Sequence, residues 1–324
     1  MEVRRPVEGD FSDVLALVQA YDRSMFGETD WTAAELRDEW RDVDLDRDAW
    51  VIELGDAIAG YTTFRDRGGG TLLADGYVHP DARGRGVGGA ILTVTEERAR
   101  EAAAGASPSE RIVLRNATLL APDGDAADAL YESHGYAAVR HFWRMVADLD
   151  REPASPRAPD GVAIEPYAHE RDARAVHAAI QEAFTDHWEH RHVPWEDWER
   201  ERLGRSGFDP TLWLVARSRD EVAGAALVSW KTSGDWGFVD TIGVRRPWRG
   251  RGVGEALLRS AFRELWLRGE RRVALGVDAQ SPTGATRLYE RVGMTVLWRA
   301  VVWEKELRAE VATGRAPDAR AAAP

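Results

Sequence analysis

The chain has 324 residues, 44% of them hydrophobic, which suffices for two domains of ordinary size with a core in each. A net charge of −12 argues against nucleic acid as a partner, and the absence of cysteine excludes disulfides, thiolate metal sites and an acyl-enzyme on sulfur. No apolar run is long enough to span a membrane and Met1–Pro6 lacks the apolar stretch of a signal peptide, so a cytoplasmic protein with no membrane partner is expected.

Val3–Val7 reads as a short edge strand, and Asp10 or Ser12 as the cap of a helix whose Val14, Leu17, Val18 and Tyr21 share one face. Thr32-Ala-Ala-Glu35 is a capping box that opens a second helix to about Arg41. Trp50–Glu53 and Ala57–Phe64 form a hairpin across Gly55-Asp56, and Gly68-Gly-Gly70 marks the next turn. A glycine-rich turn with its helix, a strand Ile112–Leu114, a helix around Tyr131 and a strand from His141 complete a first copy. Residues 150–161, with three prolines and no large apolar group, are a linker. The same order then restarts: strand Val162–Pro166, helix Asp172–Phe184, a polar and aromatic stretch His187–Gly207, a hairpin Leu212–Ala216 and Val222–Trp230, then strand Phe238–Val244. A second glycine turn, a strand Val273–Val277, a helix around Tyr289 and a strand Thr295–Glu304 follow. The expected organisation is a domain at 1–149, the linker 150–161, a domain at 162–307 and a disordered tail at 308–324. Each domain is expected to be α/β, a central mixed sheet flanked by helices.

The most informative stretch is Asp240–Leu258, a strand, a tight turn and a helix. Gly250, Gly252 and Gly254 remove side chains where backbone must approach a ligand, Arg249 and Arg251 add positive charge, and the helix after Val253 presents unpaired N–H groups. A phosphate would sit well there, although a glycine turn alone is an ordinary strand-to-helix connection. No Gly-Lys-Ser/Thr follows, so this is not a Walker loop, and the glycine spacing is not that of a dinucleotide fingerprint. The stretch occurs twice: Val78, Arg83, Gly84, Arg85, Gly86, Val87 and Gly88 match Val244, Arg249, Gly250, Arg251, Gly252, Val253 and Gly254 in register. A Leu-Tyr-Glu follows in each copy, at Tyr131 and Tyr289.

The Arg-x-x-Gly-x-Gly turn followed by Leu-Tyr-Glu-x-x-Gly resembles the GCN5-related N-acetyltransferase (GNAT) superfamily, and the tandem layout resembles its two-domain, mycothiol synthase-like branch. The resemblance covers residues 1 to about 308. It implies acetyl-CoA as acyl donor, its pyrophosphate on the glycine turn, its pantetheine bonded by the backbone of Ile242, Gly243 and Val244, and Tyr289 as the acid for the leaving sulfur. Ser281 stands where the family has an asparagine touching pantetheine. Tyr131 matches Tyr289 in the first copy.

The reaction implied is attack of an acceptor amine on the thioester, which requires removal of a proton from the amine and delivery of one to the sulfur. Counting back by twos from Val244 puts Ile242, Asp240 and Phe238 on one strand face, so Asp240 is the candidate base, with a structural carboxylate as the equal alternative. The first copy has Ala74 there, which assigns catalysis to the second domain and leaves the first with a vestigial CoA site or a role in shaping the acceptor cavity. Phe238 occupies the place of an acceptor-binding glutamate in mycothiol synthase-like sequences, and Phe184–His192 departs from their pattern, which together argue against the mycothiol precursor as acceptor. Trp188 and Trp195, with Asp186, Glu189, Glu196 and Asp197 nearby, suggest an aromatic and acidic wall for a cationic small molecule in a cleft shared by the domains, against the alternative that they are core residues of short helices. The histidines of this segment suggest a metal, but the family needs none and no metal is expected. Two classes of function remain from the sequence: an acetyl-CoA-dependent N-acetyltransferase of a small amine, monomeric or homodimeric, and a non-catalytic acyl-CoA sensor with two degenerate sites.

Overall fold

The computed structural model describes residues 1–27, 29, 31–107, 109–120, 126–188, 190–203, 208–230 and 236–308. The first copy runs β1 (Glu2–Arg4), α1 (Phe11–Phe26), α2 (Ala33–Asp42), α3 (Leu45–Asp48), β2 (Ala49–Leu54), β3 (Ala57–Asp66), β4 (Thr71–Val78), α4 (Val87–Gly105), β5 (Ile112–Leu119), α5 (Ala126–Ser133) and β6 (Ala137–Asp148). The second runs β7 (Ala163–Pro166), α6 (His169–Phe184), α7 (Trp195–Leu203), β8 (Leu214–Ser218), β9 (Glu221–Trp230), β10 (Trp236–Val244), α8 (Val253–Leu267), β11 (Arg272–Asp278), α9 (Ala285–Arg291) and β12 (Thr295–Arg308). The expected α/β class and the repeated order hold. Helix α3 was not expected, and α7, which begins at Trp195, is one of the short helices weighed as the alternative for the tryptophan segment. The tail from residue 309 and Glu189 lie outside the described residues.

Local chemistry explains the elements. Helix α1 buries Val14, Leu17 and Val18, and ends at Gly27, whose φ of 80° gives the left-handed turn that closes a helix. Asp10 does not cap α1 with its side chain; its carboxylate instead accepts from Val7 N at 2.8 Å and pairs with Arg4. Helix α7 is seated by Trp195 and Trp198, three apart on one face: Trp198 is buried in a cluster with Tyr167 and Trp213, and partly buried Trp195 packs against it.

The chain forms two compact units. Among the described residues, one comprises 1–27, 33–139 and 301–308, the other 140–300. In the first, the sheet order is β1-β2-β3-β4-β5 followed by the Val301–Arg308 part of β12; β4 and β5 are parallel, and β1 to β4 pair antiparallel. That last strand is fixed by Trp303, which stacks on Tyr131 at 5.5 Å and donates its Nε1–H to Thr118 Oγ1 at 2.8 Å. Glu304 adds ion pairs to Arg111 and Arg115. In the second unit the order is β6-β11-β10-β9-β8-β7, with β10 and β11 parallel and the other neighbours antiparallel. Strand β6 pairs with β11 from Phe142 opposite Asp278 to Asp148 opposite Arg272. The closing strand of each unit therefore comes from the other copy of the repeat.

Candidate active site

In the second unit β10 and β11 pair only over Trp236–Phe238 and Arg272–Ala274, then diverge, although β10 continues to Val244 and β11 to Asp278. Backbone groups on that edge of β10 thus lie beside an opening instead of a neighbouring strand. The opening is a cleft of about 710 Å³ lined by both strands, by the start of α8 and by the loop before α9.

Strand β10 carries a β-bulge. Val239 pairs with Val228 and Thr241 with Leu227, so Asp240 is the extra residue. A bulge shifts the strand's alternation. Gly237 and Val239 face α8 before it, because a Cβ on Gly237 would strike Leu265 and Val239 belongs to the core with Leu257 and Leu258. After it, Ile242 and Val244 pack on that same core, while a Cβ on Gly243 would meet Ala183 and Ile180 of α6 at 2.9 Å. The shared face of Ile242, Asp240 and Phe238 expected from simple alternation is therefore corrected. Phe238 turns the other way, lies beneath Arg144 at 4.6 Å and is absent from the cleft wall, whereas exposed Asp240 lines the cleft.

The turn has the local geometry of a glycine-rich strand-to-helix connection. Gly250 and Gly252 have φ of 72° and 85°, values that favour glycine, and no atom lies within 4 Å of a Cβ built on Gly250. Gly252 is the N-cap of the fifteen-residue α8 and makes no side-chain cap bond, so the first N–H groups of that helix are left for a ligand. Gly254 allows α8 to sit against α9, since a Cβ there would meet Leu288 at 3.2 Å. These features fit a pyrophosphate at the mouth and an extended arm along β10, as acetyl-CoA requires.

The arginines divide differently from expectation. Arg249 donates to Asp186 at 2.8 Å and to the Val244 and Ala183 carbonyls, so it braces the turn against the end of α6. Arg246 also pairs with Asp186, and Arg245 pairs with Glu182 at 2.6 Å and Glu221 at 3.0 Å. The two guanidinium groups hold the Asp186 carboxyl down to about 2, which also removes it as an attractor for a substrate ammonium. Arg251 is exposed, has its guanidinium 5.3 Å from the Trp248 ring and makes no ion pair among the described residues, so it is the arginine able to meet a phosphate.

Tyr289 stands on α9, is 6% exposed and lines the cleft. Burial raises its phenol to about 12, which keeps it a proton donor at neutral pH. Ser281 also lines the cleft and shares a 2.9 Å hydroxyl–hydroxyl bond with Thr283. Its loop is set by Asp278, which is held by Arg140 at 2.8 Å and accepts from Gln280 N at 2.9 Å. Among the expected substrate residues, Trp188 sits behind the wall, 6.4 Å from the cleft residue Phe142. Trp195 is elsewhere: it packs on His177 and Trp198 in the aromatic cluster between α6, α7 and β8. His187, the first residue of the segment expected to wall the acceptor, lines the cleft, and so does Phe142, which was not anticipated. Phe142 comes from the strand of the first copy, so no pattern near the turn signals it.

The first unit repeats the scaffold with two differences. Gly84 and Gly86 keep φ of 72° and 84°, and β4 and β5 pair only over Thr71–Leu73 and Val113–Arg115. But β4 pairs with β3 in unbroken register from Asp66↔Leu72 to Gly60↔Val78, with no bulge. Its Tyr131, as buried as Tyr289, is held by ring contacts, stacked on Trp303 at 5.5 Å and edge-on to Tyr136 at 5.2 Å.

No group of three or more metal-ligating side chains occurs among the described residues, and no described helix is long and apolar enough to cross a membrane. Comparison with known proteins gives a consistent result. Residues 173–294 match the acetyltransferase (GNAT) family and residues 46–138 an acetyltransferase (GNAT) domain. Mycothiol acetyltransferase of Thermobispora bispora is 31% identical over 250 residues, which cover 74% of this chain and 78% of that protein. The enzyme of the same name from Catenulispora acidiphila is 30% identical over 309 residues, 90% and 94% of the two chains. The crystal structure of a GCN5-related N-acetyltransferase from Sphaerobacter thermophilus superposes with a TM-score of 0.83 at 33% identity, covering 96% of both chains. A tandem GNAT protein from the clavulanic acid biosynthesis pathway shares the fold at a TM-score of 0.73 and 20% identity, over 94% of this chain and 98% of that one.

Proposed function

Because the chain belongs to the GNAT acetyltransferase family, we propose that this acyltransferase moves the acetyl group of acetyl-CoA directly to the primary amine of a small molecule, with the chemistry in the unit that holds α8 and α9. Acetyl-CoA supplies the activated thioester. The helix start at Gly252–Gly254 and Arg251 hold its phosphates, and the free edge of β10 along Ile242–Val244 orients its arm. Asp240, pushed out by the bulge, takes a proton from the acceptor ammonium, and the Tyr289 hydroxyl gives one to the departing sulfur.

The observation that carries the choice of unit is the bulge at Asp240 opposite an unbroken β4. In the second unit an extruded carboxylate and a buried tyrosine line one opening. The names of the relatives support mycothiol before its acetylation as the first acceptor to assay. Of the two departures that argue against it, Phe238 does not line the cleft, and the other, the sequence Phe184–His192, stands. The test is release of CoA from acetyl-CoA with a panel of amines: unacetylated mycothiol, aminoglycosides, polyamines and amino-acid derivatives. Turnover that survives Tyr289→Phe and is lost in Tyr131→Phe would reverse the choice of unit.

A further inference from the structure

The strands of the second unit hold a glycine that the fold does not explain. Four glycines lie in its described strands: Gly224, Gly237, Gly243 and Gly276. Packing requires three of them. A Cβ on Gly224 would come within 2.5 Å of the Gly243 carbonyl oxygen, one on Gly237 within 2.4 Å of Leu265, and one on Gly243 within 2.9 Å of Ala183 and Ile180. A Cβ on Gly276 would have no described atom within 4 Å. Gly276 does not take a positive φ, and β11 pairs with β6 in unbroken register from Arg272 to Asp278, so neither a left-handed turn nor a bulge calls for a glycine. A glycine inside a strand costs backbone entropy and side-chain contact. Where no bulge or close neighbour demands it, the remaining use is room for a ligand.

Its position says which part of the ligand. Gly276 lines the cleft. Val273, Leu275 and Val277 pack in the core with α8, so Gly276 faces the other side of the sheet, with Ala274 and Asp278. Across from it on β6 is Arg144, whose guanidinium lies 4.6 Å from the Phe238 ring centre, and beside Arg144 on the same face is the cleft residue Phe142. The last pair between β10 and β11 is Phe238 opposite Ala274, and two residues further along each strand stand Asp240 and Gly276, on the two lips of the split. The room left by the glycine is therefore level with the carboxylate assigned to the acceptor's proton.

We propose that Gly276 is a specificity-determining residue of the acceptor site. Having no side chain, it makes room for a substituent on the carbon that bears the reacting amine, and so fits the cleft to primary amines on branched carbons, as in α-amino-acid derivatives and ring amines. The inference rests on the acetyl-transfer reading of this cleft and adds the shape of the acceptor to it.

The experiment is release of CoA from acetyl-CoA by wild type, Gly276→Ala and Gly276→Val with two probes of equal charge. Glycinamide carries its amine on an unbranched carbon, and L-leucinamide on a carbon with an isobutyl group. Wild type acetylates both. Gly276→Val lowers kcat/KM for leucinamide roughly tenfold or more and for glycinamide less than about threefold, the scale on which a few methyl groups too many are rejected by a fitted pocket. Gly276→Ala falls between. The Kd for acetyl-CoA, read by calorimetry, stays near wild type in both variants. Gly276→Ala melts at or above the wild-type temperature, since its Cβ meets nothing and the strand loses a glycine. Equal losses for the two probes, or none, overturn the proposal, as does a wild type that acetylates only glycinamide. Weaker acetyl-CoA binding in Gly276→Val overturns it by giving the room to the donor's arm, and a lower melting temperature in Gly276→Ala by giving the glycine to the fold. Acetyl-CoA bound with neither probe acetylated overturns this proposal alone. A wild type that neither binds acetyl-CoA nor acetylates any amine of the panel brings down the proposed function with it.

Discussion

Arg249 and Asp186 form the joint that fixes the glycine turn to α6: Arg249 Nη1 meets Asp186 Oδ2 at 2.8 Å, and Nη2 donates to the Ala183 carbonyl at 2.8 Å. The arginine of the Arg-x-x-Gly-x-Gly sequence is thus spent on the protein. Its partner carboxyl is held at about 2, below its ordinary 3.8. A lowered folded-state value means that the pair contributes its stability above about pH 4 and loses it as pH falls from there toward 2. Thermal melts of wild type and Asp186→Asn should therefore differ at pH 7 and converge near pH 2. The gap should shrink in high salt, because the pair is exposed. Parallel curves at all pH values would refute the joint.

The two glycine turns offer a matched comparison. Gly252 and Gly86 share nearly the same φ, 85° and 84°, and neither would bring a Cβ into a clash. Replacing either with Asp carries the same backbone strain, about 1–2 kcal/mol for a left-handed residue, and the same added charge. Gly252→Asp should abolish turnover, while Gly86→Asp should keep most of it with a similar drop in melting temperature. Equal kinetic losses in the two variants would place CoA chemistry in both units.

Tyr289→Phe should lower kcat by roughly a hundredfold or more, the usual range for a lost proton donor, with little change in the KM for acetyl-CoA. The phenol at about 12 stays protonated throughout the working range, so wild-type kcat should show no alkaline fall from this group below about pH 11. Tyr131→Phe should leave kcat near wild type, since that ring is packed against Trp303 and Tyr136. A fall in kcat with a midpoint near pH 8 that Tyr289→Phe removes would contradict the assignment.

Much of this was legible in the sequence because it is local. Glycine positions, the Leu-Tyr-Glu helix and the hairpin turns depend on residues close together in the chain, and each appears where the patterns put it. The bulge was not legible. Nothing in Phe238–Val244 distinguishes an extruded Asp240 from an ordinary strand residue, because the extra residue is defined by pairing with Val228 and Leu227 on another strand. That one insertion overturned the face of Phe238. The exchange of closing strands was hidden for the same reason: β6 and β12 look alike in pattern, and only their partners decide which core each completes. The arginines misled in a different way. Charge beside a glycine turn suggests phosphate, but the acidic end of α6, with Glu182 and Asp186, competes for it at close range.

The tryptophans allow the last test, because sequence assigned Trp188 and Trp195 one role and the structure gives them different surroundings. Trp195 meets His177 at 5.6 Å and Trp198 at 5.5 Å and carries Arg174 on its face at 4.2 Å, all within the cluster that seats α7 on α6. Removing it should cost about 2–4 kcal/mol, somewhat below a fully buried tryptophan because the residue is only partly buried. At this unit's size that lowers the melting temperature by several degrees. Acceptor KM should stay near wild type in the fraction that remains folded. Trp188 does not line the cleft but adjoins two residues that do, with its ring 6.4 Å from Phe142 and its carbonyl 3.3 Å from His187 Nδ1, so Trp188→Ala should loosen that wall, raising acceptor KM a few-fold with a smaller loss of stability. Melting curves and acceptor titrations of both variants separate the roles. A Trp195→Ala protein with native melting and a raised acceptor KM would return that ring to the acceptor site.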